Sequence, residues 1–153
     1  MAVFVICDNP CDTDQALLNV CHYIVAFDRT HNFVGGRGLL PSQAYEDITY
    51  AQILWEKNFG RRAYHCVVGL SNVDYISCDG ALEIAHQISS LFFPEFQVLY
   101  GVHVTQKELH IHFVISTVSL IDGHKLNIGF AKLQELKQKI DEIEQDWLKD
   151  QCM

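Results

Sequence analysis

The chain has 153 residues, of which 49% are hydrophobic and 20% are charged, and its formal net charge is −8 at pH 7. This balance is typical of one globular domain with its own core. The sequence has no run of 18 apolar residues and no basic segment at its start, so we expect neither a transmembrane helix nor a signal peptide. The acidic net charge argues weakly against a nucleic-acid partner, because nucleic acids bind basic surfaces more readily.

The first part of the chain predicts one strand, two helices and a loop. An apolar run over residues 2–7 predicts the first strand, and Thr13 can cap a helix that ends near Asp28. Residues 29–40 are rich in glycine and predict a loop. Residues 41–60 predict a second helix, which begins at a proline.

The rest of the chain predicts three strands, a short strand and two helices. Residues 63–70 predict a strand, and Ser77 can cap the third helix. Residues 101–117 predict two strands joined by a polar turn, and a short strand follows near residues 126–128. An amphipathic helix is expected at about residues 130–150.

This mixture of elements predicts a single α+β domain over residues 1–153. We expect a sandwich whose central, mainly antiparallel sheet carries the hairpin and is flanked by helices. The apolar residues of the last helix form a narrow seam, which we expect to pack on the domain, with a dimer contact as the alternative.

The hairpin GVHVTQKELHIHFVIST contains three histidines, His103, His110 and His112. Side chains at i and i+2 of a strand point to the same face, so His110 and His112 share a face. If the hairpin folds symmetrically about TQKE, His103 lies opposite His110, and Gly101 lies opposite His112 and leaves an open spot. Opposed Cβ atoms lie roughly 4.5–5.5 Å apart, so the pattern predicts a metal site with open positions, although an exposed polar face remains the alternative.

Tyr23 lies on the side of the first helix opposite to its apolar stripe. A tyrosine there is either an ordinary surface residue or a group directed at a ligand. Combined with a metal held by histidines, a tyrosine nucleophile would suit transesterification of a phosphodiester.

The order of these motifs resembles the relaxase domains of plasmid mobilisation proteins, in the HUH endonuclease superfamily. The resemblance covers about residues 13–130. It is carried by ALLNVCHYIV, by FVGGRG followed by a helix and FGRRAYHCVVGLS, and by HVTQKELHIHFVISTVSLIDGHKL.

The resemblance implies a metal-dependent, site- and strand-specific DNA-nicking enzyme. It implies that Tyr23 attacks the scissile phosphate and stays linked to the 5′ end, and that His103, His110 and His112 bind Mg²⁺ or Mn²⁺. The implied partners are single-stranded or hairpin DNA at an origin of transfer and accessory proteins of the relaxosome. The implied location is the bacterial cytoplasm, without membrane contact, and reduced cysteines agree with that compartment.

Further residues are predicted to line the site or to hold DNA. The four arginines flank loops and turns and are candidate phosphate ligands: Arg29, Arg37, Arg61 and Arg62. His65 matches the family's Tyr-His pair and could line the site or be structural. Two positions depart from the family pattern, because Thr105 replaces an acid and Ser116 replaces an asparagine; both are candidates to line the site.

Two other functions compete with nicking. The two-histidine phosphodiesterases need two His-x-Thr/Ser motifs, and the chain has one, at residues 103–105. A relaxase-like module that binds DNA without cleaving it is favoured by the acidic charge and by Thr105.

Overall fold

The computed structural model describes residues 2–71, 73–105 and 108–151. They form a five-stranded sheet in the order β1-β3-β5-β4-β2, and every neighbouring pair is antiparallel. The strands are β1 Val3–Ile6, β2 Val34–Arg37, β3 Ala63–Gly69, β4 Val98–Val104 and β5 Leu109–Ser116. The predicted α+β sandwich with an antiparallel sheet is confirmed.

Helices cover both faces of this sheet. They are α1 Asp14–Val25, α2 Phe27–Thr30, α3 Ala44–Leu54, α4 Cys78–Ser89 and α5 Phe130–Gln151. One face packs against α1 and α3 through a core cluster that includes Leu17, Ile24 and Ile48. The larger cluster, which includes Ile84 and Ile140, joins α4 and α5 to the other face. No helix in the described ranges is long and apolar enough to cross a membrane.

The alternation of the hairpin strands agrees with the prediction. Leu109, Ile111, Phe113 and Ile115 are buried in the larger cluster, while the histidines point to the face of α1. The apolar seam of α5 also packs on the domain as predicted, with Leu136, Ile140 and Trp147 buried.

Four predictions about individual elements were wrong. The first helix ends at Val25, because the backbone of Ala26 is not helical, and the separate short helix α2 follows at Phe27–Thr30. The helix expected to reach residue 60 ends at Leu54. The short strand expected at residues 126–128 does not form, and an isolated bridge joins Val118 to Lys125.

The fourth difference is an edge strand inside the predicted loop. Val34–Arg37 pairs with β4, although glycine is unfavourable in strands. The Tyr100 ring explains one glycine, because a Cβ on Gly35 would lie 2.6 Å from that ring. A close contact with a neighbouring side chain, rather than chain flexibility, therefore accounts for glycine at this position.

The end of α1 approaches β4 at Gly101. A Cβ on this residue would lie 2.5 Å from the Ile24 carbonyl oxygen and 3.2 Å from Thr30 Cγ2. Only a residue without a side chain permits this approach, which sets the height of α1 above the sheet.

We predict that Gly101→Ala destabilises the protein by about 1–3 kcal/mol, because the new methyl group must displace the helix backbone. The measurement is denaturant unfolding. Gly69→Ala is the matched control, since its Cβ would meet its nearest atom, on His110, at an ordinary 3.5 Å. Equal stability of the two variants would contradict the packing argument.

Candidate active site

The hairpin register is the one that the sequence predicted. His103 pairs with His110, and Gly101 pairs with His112. His103 and His112 are buried, whereas the side chain of His110 is 37% exposed. The spot opposite His112 is not open, however, because the carbonyl group of Ile24 occupies the space above Gly101.

Tyr23 lies against the histidines. Its ring centroid is 5.2 Å from that of His103, 5.5 Å from that of His112 and 6.0 Å from that of His65, each in an edge-to-face arrangement. Tyr23 is 39% exposed, so part of this residue is open to solvent. Within the described residues, that hydroxyl group makes no hydrogen bond to another side chain or to the backbone.

His103 ties α1 to the sheet. Its Nε2 atom lies 3.1 Å from the carbonyl oxygen of Ile24, the residue after Tyr23. A carbonyl oxygen only accepts hydrogen bonds, so Nε2 carries the proton and Nδ1 keeps a free lone pair. One imidazole therefore fixes the helix end that carries the tyrosine and presents a nitrogen for a ligand.

His65 joins the cluster from β3. Its Nε2 atom is 2.9 Å from Nδ1 of His112, and the rings of His103 and His112 stack with centroids 3.9 Å apart. The sequence marked His65 only through the family resemblance. Its contact with His112 depends on the pairing of β3 with β5, which periodicity along one strand does not reveal.

Burial keeps the central imidazoles uncharged. It lowers the pKa of His112 to about 3, with help from the neighbouring His103 and His65. Burial also lowers the pKa of His103 and of His65. A neutral imidazole is the form that binds a metal.

The four predicted DNA-binding arginines lie in different places. The guanidinium carbon of Arg29 lies 4.5 Å from the Tyr23 ring centroid, so this residue is at the site. Arg61 lies over the Tyr64 ring and donates to the carbonyl oxygen of Asn9 at 3.2 Å.

The other two arginines are used within the fold. Arg37 binds Ser89 and the carbonyl oxygen of His86, on the α4 side of the sheet. Arg62 is 2% exposed and binds Asp14 at 2.5 Å, as well as Gln52 and Thr49. Their guanidinium groups are engaged by the protein, which argues against both as phosphate ligands.

Thr105 and Ser116 do not lie among the histidines. The Thr105 hydroxyl group accepts a hydrogen bond from the backbone N–H of Glu108 at 3.1 Å, within the hairpin turn. Ser116 is buried at the far end of β5, where it accepts a hydrogen bond from Gln52. These contacts support the turn and the core rather than the site.

The donor set fits a divalent cation in its chemistry, because three imidazoles share one sheet face and two of them are held neutral by burial. Their spacing is looser than a bound ion would require.

Among the described residues, the group with ligand atoms all within 4.8 Å of one another is Glu95, Asp122 and His124, mostly exposed and near the start of β4. His124 showed no partner in the sequence, since Glu95 and Asp122 approach it only in the fold.

One comparison with known proteins identifies a family. The family model described as Relaxase: MobA/VirD2-like, nuclease domain, matches residues 19–147. The matched residues include Tyr23 and the histidines His65, His103, His110 and His112. No curated protein matches the chain.

We predict that the metal-free protein becomes less stable as the pH is lowered from 7.5 to 5.5. The folded pKa of His112 is about 3 and the unfolded value is near 6.5, so the unfolded chain takes up a proton first as the pH falls. His112 should therefore cost about 1.4 kcal/mol of stability between pH 7.5 and pH 5.5, and more toward pH 3.

The measurement is denaturant unfolding in EDTA at both pH values. His112→Gln should show a smaller loss than the natural chain, by about that amount. His22→Gln, on the exposed side of α1, is the control and should retain the full loss. The same loss in His112→Gln as in the natural chain would contradict the assignment.

Proposed function

The chain belongs to the MobA/VirD2-like family of relaxase nuclease domains, and we propose that it nicks one DNA strand at an origin of transfer with Tyr23 as the nucleophile. The observation that carries this proposal is the position of Tyr23, whose ring contacts His103, His112 and His65 although the residue is 39% exposed. A DNA-nicking function follows from the family; the tyrosine, the metal and the mobilisation context are the proposal.

The reaction exchanges one phosphodiester for another. The hydroxyl oxygen of Tyr23 forms a bond to the scissile phosphorus and loses its proton, and the bond from phosphorus to the 3′ oxygen breaks. That oxygen takes up a proton and leaves as a 3′ hydroxyl group, and the 5′ phosphate stays on the tyrosine. One ester bond is formed for each one broken, so the step needs no energy source.

The position of Arg29 supports a role in holding the scissile strand. Its guanidinium group lies over the Tyr23 ring, and its side chain is 42% exposed. Arginine binds phosphate oxygens with two parallel hydrogen bonds, so a DNA phosphate at Arg29 would lie beside the nucleophile. This local cation offsets the acidic charge of the whole chain where the DNA must bind.

We assign His103, His110 and His112 as the residues that would hold the divalent metal, Mg²⁺ or Mn²⁺. The metal, when bound, supplies positive charge that polarises the phosphate and stabilises the leaving oxygen. The protein contributes the neutral imidazoles, and through the bond from His103 to Ile24 it keeps Tyr23 beside them.

The proposed partners are single-stranded or hairpin DNA at the origin and accessory proteins of the relaxosome, in the bacterial cytoplasm. The second candidate is a module that binds the origin without cleaving it. It is favoured by Thr105, because the family's acid is missing there and the threonine hydroxyl group is bonded within the turn.

We predict that Tyr23→Phe forms no covalent DNA adduct, because it lacks only the attacking oxygen. The assay is incubation with labelled single-stranded origin DNA and Mn²⁺, read on a denaturing gel. Tyr50→Phe, which changes a tyrosine that is 67% exposed on α3, is the control and should form the adduct normally. An adduct in Tyr23→Phe would disprove the assignment, and none in the natural chain would favour the non-cleaving module.

We predict that Arg29→Gln weakens binding to single-stranded DNA and lowers the slope of log affinity against log salt by roughly 0.7, because one phosphate contact is lost. The measurement is a salt titration of fluorescence anisotropy. Lys137→Gln removes the same charge from the exposed side of α5, beyond the opposite face of the sheet, and should leave the slope unchanged. Equal slopes for both variants would remove Arg29 from the interface.

A further inference from the structure

His65 and His112 face each other through their ring nitrogens. Nε2 of His65 lies 2.9 Å from Nδ1 of His112, and the ring centroids are 5.2 Å apart. In the β3–β5 register, His65 pairs with Val114 and His112 pairs with Val67, so the two histidines are diagonal neighbours on one sheet face. The contact therefore depends on the backbone of two paired strands and not on flexible loops.

A hydrogen bond between two neutral imidazoles needs one proton, and its location decides which nitrogen of His112 is free. If Nδ1 of His112 carries the proton and donates a hydrogen bond to His65, Nε2 of His112 keeps its lone pair. If His65 donates instead, Nε2 of His112 carries the proton and cannot bind a cation. The partner at Nδ1 thus controls whether His112 is a ligand.

The hydrogen-bond partner of His112 differs from the usual partner of a metal-binding histidine. Histidine ligands of metals generally donate their second N–H to a carboxylate, a carbonyl oxygen or water. His103 has the carbonyl oxygen of Ile24 for this purpose. Within the described residues, the hydrogen bond that His112 makes through its ring is the one to His65.

We propose that His65 is a positioning residue: its Nε2 accepts a hydrogen bond from the Nδ1–H of His112 and so keeps Nε2 of His112 available to the metal. This inference rests on the proposed metal site, and it assigns to His65 a part in that site without direct contact with metal or DNA. In this chain the residue expected to orient a histidine is replaced by Thr105, whose hydroxyl group is used in the turn. In the proposal, an imidazole from the neighbouring strand orients His112.

Two substitutions separate the hydrogen bond from the bulk of the ring. His65→Gln keeps an acceptor oxygen that reaches the position of Nε2, while His65→Phe keeps a ring and removes the acceptor. The first readout is the pattern of imidazole ¹⁵N resonances of His112 in the metal-free protein, which reports the protonated nitrogen. The second is Mn²⁺ affinity, measured by calorimetry. His65→Ala replaces His65→Phe should the larger ring prevent folding.

We expect the natural chain and His65→Gln to show His112 protonated at Nδ1 and to bind Mn²⁺ with affinities within about threefold. His65→Phe should lose this preference and bind Mn²⁺ about 10–100-fold more weakly. A Mn²⁺ affinity of His65→Phe equal to that of the natural chain would overturn the inference, as would His112 protonated at Nε2 in the natural chain.

Failure of the inference about His65 can be distinguished from failure of the nicking proposal. A natural chain that forms the tyrosine adduct and binds Mn²⁺ equally with or without His65 refutes only the role of His65. A natural chain that binds no Mn²⁺ refutes the metal assignment together with the role of His65, whatever the adduct assay shows.

Discussion

The close approach of α1 to β4 determines the arrangement of the site. Gly101 leaves room for the Ile24 carbonyl oxygen, and His103, two residues along the same strand, donates a hydrogen bond to that oxygen. The tyrosine is the residue before Ile24, so the distance from its ring to the histidines is set by one peptide group and one imidazole. A side chain at position 101 would raise the helix end and separate both sets of groups.

Burial under α1 also determines the chemistry of the histidines. Imidazoles in water are close to half protonated near pH 6.5, but those beneath the helix lose solvent and resist a positive charge. Because His103, His112 and His65 lie together, each protonated ring would also repel the others. These imidazoles are therefore uncharged at neutral pH, the form that offers a nitrogen lone pair to a metal. Among the residues described, the cation beside the tyrosine is Arg29.

The sequence contained the local part of this arrangement. Alternation along β4 and β5 predicted which histidines share a face and how they pair, because a hairpin with a short polar turn has few registers. Helical periodicity placed Tyr23 off the core side of α1. Neither pattern predicts which helix covers which face, so the pairing of Tyr23 with the histidines rested on the chemistry that they could share and on the family resemblance.

Other features depended on long-range packing and could not be read from the sequence. The open spot expected beside Gly101 is filled by a helix that is distant in sequence. Arg37 and Arg62 lay near glycines and turns, as DNA-binding arginines often do, yet both are bound by other elements of the fold. His65 gained its partner only when β3 paired with β5.

The buried Arg62 has a consequence for the motion of the helix that carries Tyr23. Through Asp14 it holds the first turn of α1, while His103 holds the last, so the helix is tethered at both ends. Release of one end alone leaves the other end attached, so the helix leaves the sheet only after both contacts have broken. A DNA end joined to the proposed nucleophile would accordingly stay above the histidines, and a 3′ hydroxyl group held beside it would reseal the strand with the high effective concentration of a positioned group.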